Sequence, residues 1–266
     1  MTGRQAAMST VLEIERLSKI HEYRIVSVVK RVERRLMASF ARANLDPTRY
    51  SQAIRLQELN WLKGQYQQII YGSARSVGAA RQLSNSVVET HVAAFRAGYR
   101  LSGNELKSVV SIAKFPIIKP ELATWVSLYR PQLTGLMGHF SRDIYNSVVD
   151  KIQEGVLFGK HPDVIAKTLV NAGLPRGRFN VARTRAQLIA RTEVPRAFNG
   201  GKLSAYKGVG VYYVKVVGGT MICEECAPYH DKVFPLSEVP FFPIHPNCSH
   251  TYIAWQREGI GYGLRD

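Results

Sequence analysis

Three cysteines and two histidines crowd one C-terminal segment in the order Cys223-x2-Cys226, eighteen residues, then His245-x2-Cys248-x-His250. Two donors separated by two residues on a tight turn can reach one tetrahedral ion, and a second pair closes the site from a distant turn. Thiolate with imidazole suits zinc in a structural role. Five donors compete for four places. The expected set is Cys223, Cys226, His245 and Cys248, two clamps of the same spacing, with His250 in reserve as a replacement for His245 and His230 outside the set.

Other readings of the same segment stay open at this level. The residues could be unligated members of a loop held by turns and prolines, or Cys223 and Cys226 could form a strained disulfide. His230-Asp231 and the stretch from His245 to His250 could also arrange a metal, a base and a phosphate contact, as in a metal-dependent nuclease. Against catalysis, a thiolate-rich site with four protein ligands lacks the open position that hydrolysis needs. The chain holds no HExxH, GxSxG or GxxxxGK[ST], and no catalytic residue is assigned.

The chain of 266 residues is long enough for one large domain or two ordinary ones, and it does not need cross-links to fold. No apolar run approaches the roughly 18 to 20 residues that span a bilayer, so no membrane association is expected. The first ten residues, MTGRQAAMST, carry no apolar signal region, and an odd, clustered cysteine count fits metal ligation in a reducing cytosol better than a disulfide framework. Thirty-six Lys and Arg against twenty Asp and Glu leave a net charge of +16, which points to a polyanion, nucleic acid first, without any sign of base-specific readout.

The elements that must position the Cys/His segment are mostly helical. Apolar residues from Leu12 to Phe40 recur at helical spacing, Thr10 with Glu13 reads as a capping box, and Asn44-Leu-Asp-Pro47 ends this first long helix. Its exposed face carries Lys30, Arg31, Arg34 and Arg35, a solvated cluster that becomes a phosphate-contacting patch if its neighbours are basic. Two more helices are expected over 51 to 71 and 75 to 100, separated by Gly72-Ser73, with Gly98 weakening the second. Ser102-Gly103-Asn104, Pro116 and Pro120 mark a connection. Helix resumes at Glu121 and runs to Gly155 with an interruption at Pro131, and Pro162 opens a short helix ending at Asn171.

A basic loop from Gly173 to Arg178 leads into a helix over 181 to 206, where Pro195 and Gly200-Gly201 predict a kink or break. Arg176, Arg178, Arg183 and Arg185 join the first-helix cluster as candidate phosphate contacts. Beyond Gly208 the period changes, with strands expected over 209 to 217, 232 to 234 and 251 to 255. The expected fold class is α+β, mainly helical: long N-terminal helices and a helical body, then a small β-rich C-terminal module stapled by zinc. Its divisions are a helical N-terminal region (1–115), a helical body (116–208) and the Cys/His module (209–266).

"QLIARTEVPRAFNGGKLSAYKGVGV" with "CEECAPYHDKVF" and "PIHPNCSH" resembles the Mu F-like minor head proteins of tailed bacteriophages, also called phage head morphogenesis proteins. The resemblance runs from about residue 145 to the end, and "EGVLFGKHPDVIAKTL" looks like the helix pair that precedes the family signature. That signature has Arg-Thr-Glu on a helix, here Arg191-Thr192-Glu193, then asparagine and glycine, here Asn199 and Gly200. A strand, a cysteine pair with a glycine-containing turn, and a His-Pro-x-Cys-Arg-Cys close follow. This chain departs twice: Asp231 stands at the usual turn glycine, and the close reads Cys248-Ser249-His250.

The resemblance implies a non-enzymatic virion protein near the portal vertex of the head, assembled in the host cytoplasm. It also implies partners in the portal protein, the major capsid protein or both, and contact with packaged double-stranded DNA without sequence specificity. Arg191 and Glu193 are expected each to pair with a different neighbour, locking their helix onto the β module. Besides the nuclease, a cellular DNA-binding protein with a zinc module is the remaining alternative.

Overall fold

A computed structural model describes residues 3–74, 76–107, 119–170, 178–218 and 222–255, with the side chains of 3–7, 107, 119, 170 and 178–183 outside that description. The fold is mainly helical α+β, as expected. Helix α1 (Gly3–Phe40) is followed by α2 (Gln52–Tyr71) and a short hairpin, β1 (Gly72–Ser73) with β2 (Ser76–Val77). Three long helices come next, α3 (Ala79–Lys107), α4 (Lys119–Leu157) and, after the short α5 (Pro162–Val170), α6 (Arg178–Gly208). The chain closes with β3 (Tyr213–Val217), β4 (Val233–Pro235) and β5 (Thr251–Trp255), an antiparallel sheet of order β4-β3-β5. The register pairs Val214 with both Phe234 and Ala254.

The chain folds as two compact units, each drawn from separate stretches of sequence because the long helices run through both. One unit comprises Met1–Glu22, Val88–Pro131 and Leu188–Asp266; the other comprises Tyr23–Val87 and Gln132–Gln187. The first holds the sheet and the Cys/His segment and is called the metal unit below. Among the described residues the second has helices as its regular elements apart from the β1–β2 hairpin, and it is called the helical unit.

In the metal unit three of the glycines read as helix breakers, Gly98, Gly200 and Gly201, are contact points. Helix α3 runs unbroken through Gly98 and Ser102-Gly103-Asn104, and α6 through Pro195 and Gly200-Gly201. A Cβ on Gly98 would lie 2.0 Å from the Phe198 carbonyl oxygen, and one on Gly201 would lie 2.0 Å from that of Phe95. Backbone thus meets backbone where α3 crosses α6, an approach that only glycine allows. Gly200 seats the indole of Trp125 in the same way. Around this crossing Phe95, Val194, Ala197 and Phe198 are buried with Ile14 and Leu17 of α1.

A buried polar network ties four elements of the unit together. Lys202, with no exposed surface, donates to Glu105 Oε2 at 3.2 Å and to Thr10 Oγ1 at 3.1 Å. Tyr206 donates to the same carboxylate oxygen at 2.9 Å, and the backbone N–H of Ala254 in β5 donates to the other at 2.8 Å. Thr10 is therefore a mid-helix partner of Lys202, and the expected capping box is corrected: α1 starts at Gly3, and Glu13 pairs with Arg16 and Arg100.

In the helical unit the apolar stripes match helical spacing: Ile25, Val29, Val32 and Leu36 of α1, and Leu59, Leu62, Tyr66 and Ile69 of α2, are buried. Ser51 caps α2, its hydroxyl accepting from Ile54 N–H. Arg55, buried, donates to the Val156 carbonyl at 3.1 Å, and Tyr66 donates to that of Leu36 at 3.2 Å. The interruption expected at Pro131 is absent, since α4 continues through it; an exposed proline costs one helical hydrogen bond while the buried positions from Leu133 onward keep the helix in register. The connection expected around Pro116 lies outside the described residues.

Candidate metal centre

Two turns and one helix build the site. Cys226 N–H and Ala227 N–H both donate to the Cys223 carbonyl, at 3.1 and 2.9 Å, and Tyr229 and His230 N–H repeat the pattern on Cys226. This tight winding points both thiols of the x2 clamp to one side. The chain then turns into β4 through Asp231, whose φ is +59° and whose N–H donates to Val216 in β3. Asp231 thus stands at a left-handed backbone position, which aspartate tolerates better than most residues.

The second turn carries His245, Cys248 and His250, and α6 holds it at two points. Thr192 Oγ1 accepts from Asn247 N–H at 3.1 Å while donating to the Leu188 carbonyl. Seven residues along, the fully buried Asn199 donates to the carbonyls of His250 at 2.8 Å and Phe242 at 3.3 Å, and its Oδ1 accepts from the Thr251 hydroxyl at 2.7 Å. Every polar atom of that amide is engaged with the chain bearing the donors.

These supports gather five donors into two triads that share Cys226. The ligand atoms of Cys223, Cys226 and His245 lie within 4.8 Å of one another, as do those of Cys226, Cys248 and His250. His245 Nε2 sits 3.1 Å from Cys223 Sγ and 2.9 Å from Cys226 Sγ. Cys226 and Cys248 sulfurs are 3.5 Å apart, and Cys248 Sγ is 3.6 Å from His250 Nδ1. Tetrahedral zinc with its usual bond lengths puts neighbouring sulfurs about 3.8 Å apart and sulfur and nitrogen about 3.6 Å apart. The donor set fits a metal ion. All three cysteines are free thiols, so the expected-against disulfide is absent.

The electrostatics of Cys223, Cys226 and His250 agree with ligation, whereas the hydrogen bond to the Pro246 carbonyl, then the nearby Cys223, raise His245 above its ordinary value. Burial, then the adjoining thiols of Cys223 and Cys248, push the Cys226 thiol above its ordinary range; crowded sulfurs of this kind ionise together only beside a cation. Burial opposes ionisation of Cys223 as well, yet hydrogen bonding with Cys226 and the nearby His245 bring that thiol below its ordinary value. Burial, reinforced by His230 and His245, holds His250 down to about 4, a neutral imidazole with a lone pair to give. Each imidazole also has its outward nitrogen occupied: His245 Nδ1 donates to the Pro246 carbonyl at 2.8 Å, and His250 Nε2 lies 3.2 Å from His230 Nδ1. This is the outer bracing typical of ligating histidines. His230 therefore braces the site from outside it.

The other expected residues fall elsewhere. Arg191 is exposed and lies 3.8 Å from Glu22; Glu193, mostly buried, pairs with Arg196 at 3.3 Å, and burial raises its carboxyl above the ordinary value. Each does meet a different neighbour, and among the described residues no ion pair joins either one to the β module. Thr192 and Asn199 make the contacts to that module, and the role of Thr192 was overlooked because its two charged neighbours took the attention. Lys30, Arg31, Arg34 and Arg35 are exposed on α1 in the helical unit, and Arg185 of that unit pairs with Asp143. Arg176 lies outside the described residues, as do the side chains of Arg178 and Arg183 in α6. Lys202 and Glu105 were also missed, since an isolated charged residue in a sequence reads as surface.

Comparison with protein-family models, with curated proteins and with solved structures finds no match.

Proposed function

We propose that this chain is a non-enzymatic minor head protein of a tailed bacteriophage, sited near the portal vertex of the virion after assembly in the host cytoplasm. The observation that carries the reading is that separate pieces of the Mu F-like signature act on one place. Asn199 and Thr192 hold the turn of His245, Cys248 and His250, and Asp231, at the position of the family glycine, has a φ of +59°, a left-handed conformation that glycine adopts freely. The metal is zinc in a structural role. Cys223, Cys226 and Cys248 with His245 or His250 would hold it, and it would cross-link two turns that are distant in sequence.

The helical unit is the part suited to packaged double-stranded DNA. It has nineteen Lys and Arg against seven Asp and Glu, a net of +12 within the chain's +16. Lys30, Arg31, Arg34 and Arg35 are exposed along α1 and form no ion pair among the described residues, so they would meet phosphates without reading bases. The protein partners are the portal, the major capsid protein or both. Cryo-electron microscopy of purified heads tests the reading: density for this chain at the portal vertex is expected, and heads lacking it while the host retains it would overturn the virion role in favour of a cellular protein.

A metal-dependent nuclease is the competing reading, favoured by the exposure of Cys223 on the outer side of the cluster. It requires plasmid cleavage that disappears in His245→Ala while the fold survives, and absence of cleavage across divalent ions would end it.

A further inference from the structure

We propose that the centre holds two ions rather than one, with the Cys226 sulfur shared between them; this rests on the metal reading above. A single tetrahedral ion needs four donors around one point. The close donors here form two groups of three, one on each side of Cys226. The inner group, Cys226, Cys248 and His250, is buried throughout, and its sulfur–sulfur and sulfur–nitrogen spacings of 3.5 and 3.6 Å are within a few tenths of an ångström of tetrahedral edges. The outer group, Cys223, Cys226 and His245, reaches the surface through Cys223.

Both histidines are built as ligands. His245 turns Nε2 to the outer sulfurs and gives Nδ1 to the Pro246 carbonyl. His250 turns Nδ1 to the inner sulfur and has Nε2 against His230. A spare histidine would not need its metal-facing nitrogen directed and its other nitrogen braced. The choice between His245 and His250 that one ion demands disappears when each serves its own ion. Thiolates bridge d10 divalent cations readily, and a shared sulfur places three thiolate charges against two ions. Each ion has three protein donors, which leaves one position for water or an added ligand, and the outer, exposed ion exchanges first.

Metal-depleted full-length protein is loaded with zinc alone, desalted, and measured by elemental analysis and native mass spectrometry, with circular dichroism as the check on fold. Two zinc per chain are expected in the wild type, one in His245→Ala, one in His250→Ala and none in Cys226→Ser. The half-exposed His245 variant keeps the test valid if loss of the buried His250 disturbs folding. One zinc in the wild type, lost in only one histidine variant, would overturn the two-ion proposal and leave the metal reading intact. Two zinc that persist in both histidine variants would place the second ion elsewhere and overturn it too. No zinc in the wild type would remove both readings together.

Discussion

The metal unit and the helical unit use charge in opposite ways. The metal unit holds seventeen Lys and Arg with thirteen Asp and Glu, a net of +4, and buries several of its ionisable groups: Lys202, Glu105, His91 and His250. The helical unit holds three times that net charge, +12, with the α1 cluster on its surface and aliphatic stripes inside. Burying charge requires paired partners at fixed positions, so the metal unit is a cross-linked, geometrically demanding structure. Exposing charge requires only a helix with one apolar face, so the helical unit is tolerant of change and electrostatically loud.

The sharpest break of that contrast comes from the buried pair. Glu105→Ala strands the Lys202 ammonium among Thr10, Tyr206 and the aliphatic core, and denaturant unfolding should show a loss of about 3–5 kcal/mol. The double substitution Glu105→Leu with Lys202→Met should recover most of it, whereas equal losses in single and double variants would mean that the network contributes only shape. Next in size, chelation of the metal should lower the stability of the metal unit by about 3 kcal/mol, the stabilisation expected of a ligand held at roughly a hundredfold its Kd. Thermal unfolding with and without chelator reads this, and an unchanged transition would contradict a structural ion.

Acid supplies a third, smaller effect. His91 stacks on Trp125 at 5.8 Å, and neither ring nitrogen has a hydrogen-bond partner among the described residues. Burial, then the charge of Arg196, lowers its pKa from 6.5 to about 3. Between those values the unfolded chain binds the proton and the folded chain does not, so the stability is fully present above pH 6.5 and is lost as pH falls toward 3. About 2 kcal/mol should be gone by pH 5, and His91→Phe should flatten that part of the pH profile. The smallest change in stability per substituted residue belongs to the helical unit. Replacing Lys30, Arg31, Arg34 and Arg35 by alanine should cost no more than about 0.5 kcal/mol per site. The same variant should bind duplex DNA with a log–log salt slope shallower by roughly 3 to 4, and an unchanged slope would remove α1 from the DNA-facing surface.

Legibility in the sequence followed the range of the interaction. The α1 and α2 stripes, the Gly72-Ser73 break and strand Thr251–Trp255 were readable because each depends on neighbours within a few residues. The break expected at Pro195 and Gly200-Gly201 is absent, and Gly98, Gly200 and Gly201 were read only as weakness because local propensity sees no partner, while contact of α3 and Trp125 with α6 makes the glycines necessary. Thr10 was misread for a related reason: a capping pattern is local, but its hydroxyl serves a lysine 192 positions away.

Residue types and spacing by themselves determined that the chain is mainly helical with a β-rich end, that Cys223, Cys226, His245, Cys248 and His250 are the donor pool, and that the surface is strongly basic. Covalent spacing limits which donors can share a turn, and composition sets charge, so neither needs a fold to be read. Only the tertiary structure decided that the donors divide around Cys226, that Thr192 and Asn199 hold their turn, and that charge parts unequally between two units. Those outcomes depend on which distant segments α6 and α3 bring together, and packing between elements is not encoded at any one position.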